Sequence, residues 1–168
     1  MIVLVPCDSV EAEKATFAVA KIKGPAYIRL ARENTPVITT KETPFEIGKA
    51  EIFREGKDAA IVACGQLVYT ALKAAEELVK EGIEVAVVNN HTIKPMDETT
   101  ILRLAEQTGA VVTAEEHQIA GGMGSAVAEI LARNHPVPIE FVGVHDRFGE
   151  SGEPNELLEK FGMGVKDI

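Results

Sequence analysis

The chain has 168 residues, 46% of them hydrophobic, and a formal net charge of −9 at pH 7. This length can enclose a hydrophobic core and fits one domain with a small appendage. The acidic balance argues against nucleic acid or an anionic membrane as a partner. No apolar run reaches the about 18 to 20 residues of a membrane span and no signal peptide is recognisable, so we expect an intracellular, cytoplasmic protein.

The first 30 residues predict a strand, a helix and a second strand. The apolar run MIVLV is stopped by Pro6, and Asp8 followed by Glu11 has the spacing of a capping-box variant that opens a helix. Gly24-Pro25 ends the helix, and AYIRLA follows as the second strand. A βαβ element of this size leaves both edges of its sheet open, so it needs a neighbour.

A Pro/Thr-rich segment, NTPVITTKETPF, follows this element and has the composition of a linker. The charge changes at the same place. Residues 1–40 hold five Lys or Arg and four Asp or Glu, a net charge of +1, whereas residues 41–168 hold 12 and 22, a net charge of −10. We therefore predict that the chain starts inside one structural unit and contains all of the next.

Strands and helices alternate after the linker. The uniform apolarity of Ala59–Ala63 indicates burial on both faces, as in a parallel sheet. Strands are predicted at 47–53, 59–63, 84–88, 110–114 and 139–144, and helices at 67–79, from 97 to 109, at 123–133 and from Pro154 onward. This order predicts an α/β fold, with an open, mostly parallel β-sheet and helices on both faces. Cys7 and Cys64 form no C-x-x-C pair and are expected to be buried free thiols.

Ligands bind such sheets outside the carboxyl ends of the strands. The segments at that rim are Cys64–Gln66, Asn89–His91, Glu115–His117 and His145–Arg147. Three of the four histidines lie there, namely His91, His117 and His145. A metal site built from them with Glu116 or Asp146 is geometrically conceivable, but no closely spaced ligand set forces the imidazoles together. Contacts with backbone or carboxylate groups are the favoured interpretation.

The segment EEHQIAGGMGSAV carries a glycine cluster, Gly121, Gly122 and Gly124, ahead of a predicted helix. Such a turn either binds an anion at the start of the helix or lets the chain fold back closely. Its spacing matches neither a dinucleotide fingerprint nor a P-loop, and the chain has no G-x-S-x-G nucleophile elbow. The second interpretation, a turn at which the chain folds back closely, is therefore favoured.

Arg29 and Arg32 lie in the segment YIRLARENTP. Alternation along a strand places them on opposite faces, with Arg32 at or beyond the carboxyl end. A guanidinium group at that position can bind a phosphate group through two parallel hydrogen bonds. The alternative, which position alone favours, is a surface salt bridge from Arg32 to Glu33 or Glu42.

Several segments together resemble the C-terminal portion of transketolase and of related thiamine-diphosphate enzymes. In the family's order they are VLVPCDSVEAEKAT, GPAYIRLARENTPVI, GKDAAIVACGQLVYTALKAAEEL, IKPMD, EEHQIAGGMGSAVAEIL and FGESGEP. The resemblance covers essentially the whole chain. The segments ARENTP and FGESGEP favour transketolase over two related families, deoxyxylulose-phosphate synthase and the E1 β subunit of 2-oxo acid dehydrogenases.

The resemblance implies a part of an enzyme of the pentose phosphate pathway that transfers two-carbon ketol units between sugar phosphates. Such enzymes use thiamine diphosphate and a divalent metal, Mg or Ca. Residues 1–40 resemble the tail of the pyrimidine-binding module with its linker, and residues 45–168 resemble the C-terminal domain. The cofactor motif and the activating glutamate would lie upstream of Met1. We therefore expect no catalytic residue, bound cofactor or metal in this chain alone.

One functional position carries over from the family. Arg32 corresponds to the arginine of the SRQN segment, which contacts the sugar phosphate in transketolases, and Ala31 and Glu33 replace the serine and the glutamine. Because the family places its cofactor in the other modules, the resemblance also favours packing for the glycine corner. The implied partners are the N-terminal transketolase modules or subunit, in a homo- or hetero-oligomer. Two alternatives remain. The chain could be a free-standing α/β module that binds a partner or an anion, or the equivalent part of a deoxyxylulose-phosphate synthase or of a 2-oxo acid dehydrogenase E1 β subunit.

Overall fold

The computed structural model describes residues 1–168 as eight strands and five helices. The strands are β1 (Ile2–Leu4), β2 (Ala26–Ile28), β3 (Glu51–Arg54), β4 (Ala59–Ala63), β5 (Val85–Asn89), β6 (Thr92–Lys94), β7 (Val111–Gln118) and β8 (Ile139–Val144). The helices are α1 (Ser9–Val19), α2 (Leu67–Lys80), α3 (Glu98–Thr108), α4 (Met123–Asn134) and α5 (Pro154–Lys160). None of these helices has the length and apolarity required to cross a bilayer.

The larger sheet has five strands in the order β3-β5-β4-β7-β8. Strand β4 pairs in parallel with β5 and with β7, β7 pairs in parallel with β8, and only β3 is antiparallel to its neighbour. The sheet is open because β3 and β8 each have a free edge. The predicted open, mostly parallel sheet is confirmed.

Helices cover both faces of this sheet, as predicted. Side chains alternate along β4. Ala60 and Val62 pack in one core with residues of α3 and α4. Ile61 and Ala63 pack in a second core with residues of α2 and with the segment that follows α5. The uniform apolarity of β4 is explained by these two cores, because each face of the strand is buried against different helices.

Helices α1 and α3 begin at the predicted capping residues, and α3 ends at the predicted glycine. The Asp8 side chain accepts a hydrogen bond from the Glu11 backbone N–H at the start of α1, and Asp97 accepts one from the Thr100 N–H at the start of α3. Helix α3 ends at Gly109, whose φ of 72° is a left-handed conformation that glycine adopts without steric cost. Local chemistry therefore sets these boundaries.

Four strand predictions need correction. Strand β7 runs on to Gln118 rather than ending at Ala114, because Gln118 pairs with Val144 after a register shift. Strand β6 was not predicted, since its three residues show no strand pattern and form a strand only by pairing with β1. Strand β3 begins at Glu51 rather than Ile47, and β2 ends at Ile28, before Arg29.

The first βαβ element forms a three-stranded sheet in the order β2-β1-β6. Strand β1 is parallel to β2 and antiparallel to β6. Beyond β1, the Val5 N–H donates to the His91 carbonyl at 2.8 Å, and the Gly65 N–H donates to the Val5 carbonyl at 3.2 Å. The neighbour that this element needs is thus supplied on one side by the same chain, whereas the outer edge of β2 has no partner strand.

Candidate functional site

A cavity of about 620 Å³ lies where residues 31–33 face residues 149–154. Its lining includes the polar residues Arg32, Gln66 and Glu116 and the apolar residues Leu157 and Phe161. Gln66 and Glu116 are close because strands β4 and β7 are parallel neighbours that end at the same edge of the sheet. Two of the four predicted rim segments, through Gln66 and Glu116, therefore line the same cavity as parts of ARENTP and FGESGEP, whereas residues 89–91 and 145–147 do not line it.

Arg32 presents an almost unpaired guanidinium group to this cavity. Its side chain is 97% exposed, and its one ionic contact is from Nε to Glu33 Oε1 at 4.0 Å. Both groups are exposed, and ion pairs of this kind contribute about 0 to 1 kcal/mol. The salt bridge considered from the sequence is therefore present but weak, and Glu42 forms no ion pair with Arg32. The role of Arg32 as a phosphate ligand stays a prediction.

Arg29 has a different environment from the one predicted by strand alternation. Strand β2 has already ended at Ile28, and the Arg29 guanidinium group donates to the backbone carbonyl of Glu116. The Gln66 amide donates to the Glu116 carboxylate at 2.6 Å. Glu116 thus joins the segment after β2 to the segment after β4. Sequence reasoning missed this junction, because no local pattern brings together residues that lie so far apart along the chain.

The far end of the Arg32 segment is held by Asp8. Its carboxylate accepts hydrogen bonds from the backbone N–H groups of Ile38 and Thr39, at 2.8 and 2.6 Å, and from the Thr39 hydroxyl group at 2.8 Å. Burial by itself would raise the pKa of Asp8, but these bonds and the bond from the Glu11 N–H outweigh it and lower the pKa. Asp8 is therefore both the cap of α1 and an anchor for the loop.

At the glycine cluster, Gly121, Gly122 and Gly124, the chain folds back closely, and the start of α4 binds a carboxylate of the same protein. The buried Glu115 carboxylate accepts from the backbone N–H groups of Met123 and Gly124, at 2.7 and 2.8 Å. A Cβ atom on Gly122 would lie 2.4 Å from Glu115 Oε1, and one on Gly124 would lie 2.5 Å from Thr113 Oγ1. The first turn of α4, where a phosphate group could bind, is thus occupied by Glu115.

The three rim histidines are dispersed. His91 is fully buried and stacks on Phe45 with ring centroids 4.3 Å apart, and burial lowers its pKa to about 4. The side chain of His117 is about half exposed and its Nδ1 lies 2.8 Å from the Gln118 carbonyl, while His145 is exposed. No group of three or more His, Cys, Asp or Glu side chains is arranged to hold a metal ion. The histidines therefore do not form the metal site that was considered.

A second polar cluster is buried where α1 meets β5. The Glu11 carboxylate accepts from the Cys7 backbone N–H and from the Asn89 amide, each at 2.7 Å. Burial, which outweighs these hydrogen bonds, raises the pKa of Glu11. Burial also raises the pKa of the Cys7 and Cys64 thiol groups. Both cysteines are free and buried, as predicted.

Comparison with known proteins identifies the family. Residues 48–168 match the family described as "Transketolase, C-terminal domain". The chain belongs to the transketolase C-terminal domain family. This match confirms the resemblance drawn from the sequence segments.

The relatives that this chain matches are longer than the chain. It is 48% identical over 168 residues to a 6-deoxy-6-sulfo-D-fructose transketolase subunit of Clostridium sp. (strain MSTE9), covering 100% of this chain and 52% of that protein. It is 34% identical over 169 residues to one subunit of an apulose-4-phosphate transketolase of Phocaeicola vulgatus, covering 100% of this chain and 54% of that protein. The chain thus spans about half the length of each of these two relatives.

Structural similarity extends over nearly the whole chain. A solved structure described as "Split gene transketolase, inactive beta4 tetramer" superposes with a TM-score of 0.96 at 46% identity. The match covers 99% of this chain and 55% of that one. The fold of nearly the whole chain is therefore shared with that polypeptide.

The transketolase family implies thiamine diphosphate in the complete enzyme. The residues of this chain do not fit the diphosphate or its metal. Glu115 fills the one glycine-rich helix start with a negative charge, and no acidic or histidine group is arranged as a set of metal ligands.

Proposed function

We propose that this chain is the C-terminal part of a cytoplasmic transketolase subunit that acts only together with the N-terminal transketolase modules. Residues 1–40 would be the tail of the pyrimidine-binding module with its linker, and residues 45–168 the C-terminal domain. Similarity over 99% of the chain to a split-gene transketolase, with a TM-score of 0.96, carries this proposal. The unpaired outer edge of β2 supports it, since a parallel strand normally continues into a larger covered sheet.

The proposed reaction is transfer of a two-carbon ketol unit between sugar phosphates, as in the pentose phosphate pathway. The upstream modules would hold thiamine diphosphate and a divalent metal, Mg or Ca, and the cofactor would supply the carbanion chemistry. This chain would contribute assembly and a contact with the substrate. By itself it is expected neither to bind thiamine diphosphate nor to convert sugar phosphates.

Arg32 is the proposed substrate contact. Its guanidinium group is exposed and opens into a cavity at the edge of both sheets. The substrates named for two relatives, 6-deoxy-6-sulfo-D-fructose and apulose 4-phosphate, both carry an anionic group. A guanidinium group binds sulfonate or phosphate oxygens through parallel charge-assisted hydrogen bonds. The substrate class proposed for this chain is therefore keto and aldo sugars with an anionic terminal group.

Reconstitution tests the function directly. This chain is mixed with a polypeptide that carries the upstream modules, and complex formation and ketol transfer are measured with and without thiamine diphosphate. We expect a complex and cofactor-dependent transfer in the mixture, and neither activity nor tight cofactor binding with this chain alone. The proposal fails if no complex forms and the mixture is inactive, or if the isolated chain is active.

Replacement of Arg32 tests the substrate contact in the same mixture. Arg32→Ala removes a charge-assisted bond worth about 1.5–3 kcal/mol, so the KM for a phosphorylated acceptor should rise about 10- to 150-fold. The KM for an unphosphorylated acceptor should change little. Arg103→Ala is the matched control, because Arg103 is exposed on α3 and makes no side-chain hydrogen bond or ion pair. An equal effect of Arg32→Ala on both acceptors would assign Arg32 to structure.

A further inference from the structure

The loop that carries Arg32 is fixed at its two ends and nowhere between them. At its start, the Arg29 N–H donates to the Leu4 carbonyl and the Arg29 guanidinium group donates to the Glu116 carbonyl. At its end, Asp8 holds Ile38 and Thr39. Residues 30–37 make no hydrogen bond with the rest of the chain. The position of Arg32 therefore depends on the two anchors.

The Arg29 anchor attaches to a part of the C-terminal domain that several hydrogen bonds hold together. Glu116 lies in β7, and its neighbour Glu115 is fixed by two backbone hydrogen bonds from the first turn of α4. The Gln66 amide holds the Glu116 side chain from the start of α2. Arg29 thus connects the loop to β7, α4 and α2 at one point.

Arg29 lies closer to Arg32 than the other anchor does. Arg32 is the third residue after Arg29, a span of at most about 10 Å, whereas Ile38 lies about twice as far along the chain on the other side. A loop that is ordered before binding loses less conformational entropy when the ligand arrives. Loss of the Arg29 guanidinium bond leaves the Arg29 backbone N–H bond to Leu4 in place and leaves Arg32 chemically intact, but it would increase the number of positions that Arg32 samples.

We infer that Arg29, through its bond to the Glu116 carbonyl, is a positioning residue for Arg32, and that the C-terminal domain tunes affinity for the anionic end of the substrate in this way. This inference rests on the proposed role of Arg32. It gives the C-terminal domain, which in the proposed function supplies no group to the chemistry, a defined effect on substrate binding. Arg29 acts through the loop and does not itself touch the substrate.

Steady-state kinetics of the reconstituted enzyme test the inference. Arg29→Met keeps the length of the side chain and removes its donors, and Arg29→Lys keeps one charged donor group. We expect Arg29→Met to raise the KM for a phosphorylated acceptor about tenfold, with kcat and the KM for an unphosphorylated acceptor within about twofold. Arg29→Lys should restore part of the loss, and Arg103→Met should have no effect.

A double variant separates positioning from direct binding. If Arg29 acts only through Arg32, Arg29→Met adds nothing further to Arg32→Ala, because the group that it positions is already absent. Full additivity, or an equal loss with both acceptors, would overturn the inference. If Arg32→Ala has no phosphate-specific effect, the proposed role of Arg32 fails. If Arg32→Ala has that effect and Arg29→Met does not, only the positioning inference fails.

A measurement on this chain keeps the test independent of reconstitution. NMR relaxation reports backbone order on the picosecond to nanosecond timescale. Arg29→Met should lower the order parameters of residues 30–34 below those of the unsubstituted chain, while those of the β4 and β7 core remain unchanged. Unchanged order in residues 30–34 would overturn the inference.

Discussion

Replacement of Glu115 by glutamine should destabilise the fold. The carboxylate is buried and accepts two backbone hydrogen bonds, at 2.7 Å from Met123 and 2.8 Å from Gly124. Glutamine offers one acceptor oxygen, and its NH₂ group would face the remaining N–H. One charge-assisted bond is worth about 1.5–3 kcal/mol, and the interaction with the helix start adds up to about 1 kcal/mol. Burying a neutral amide costs less than burying a carboxylate, so we expect a net loss of about 2 kcal/mol.

Urea unfolding followed by far-UV circular dichroism measures this loss. The midpoint should fall while the slope m stays constant, and Tm should drop by about 4–8 °C for a chain of this size. Glu129→Gln is the matched control, since Glu129 lies exposed on α4 and its carboxylate has no partner. A change below about 0.5 kcal/mol for Glu115→Gln, or one equal to the control, would refute the assignment of Glu115 to the start of α4.

Two further predictions concern stability. Because burial lowers the pKa of His91 to about 4 and an unfolded histidine titrates near 6.5, the unfolded chain binds an extra proton between these values. The free energy of unfolding therefore decreases as the pH falls below about 6.5. Between about pH 7.5 and pH 5, His91 should account for about 2 kcal/mol of this decrease. His91→Phe should abolish that part of the decrease, which urea unfolding at the two pH values measures. An identical pH dependence in the variant would contradict this. Gly124→Ala places Cβ 2.5 Å from Thr113 Oγ1 and 2.7 Å from Phe141 Cδ1, so it should cost about 1–3 kcal/mol, whereas Gly149→Ala meets nothing within 4 Å and should be neutral. Equal midpoints for the two glycine variants would contradict the packing corner.

The sheet and its helices were accessible from the sequence because their signals are local. Strands β4 and β8 begin and end where the apolar runs predicted, and α3 lies between the capping Asp97 and the left-handed Gly109. The order of strands and helices then restricts the fold to a few possible topologies, because the connections between parallel strands are almost always right-handed. The short strand β6 and the end of β7 were not accessible, because both depend on pairing with a distant strand.

The features of the candidate site also fall into those that the sequence predicted and those that only the structure revealed. The sequence by itself predicted the family, which the comparison confirms, and singled out the segment that carries Arg32 and the edge of the sheet at which we propose that a ligand binds. Only the tertiary structure decided that Glu115 fills the glycine corner and that Arg29 is held by Glu116. The physical reason is that capping, periodicity and apolar runs act over a few residues, whereas a buried carboxylate or guanidinium group takes whichever partner the fold brings within about 3 Å.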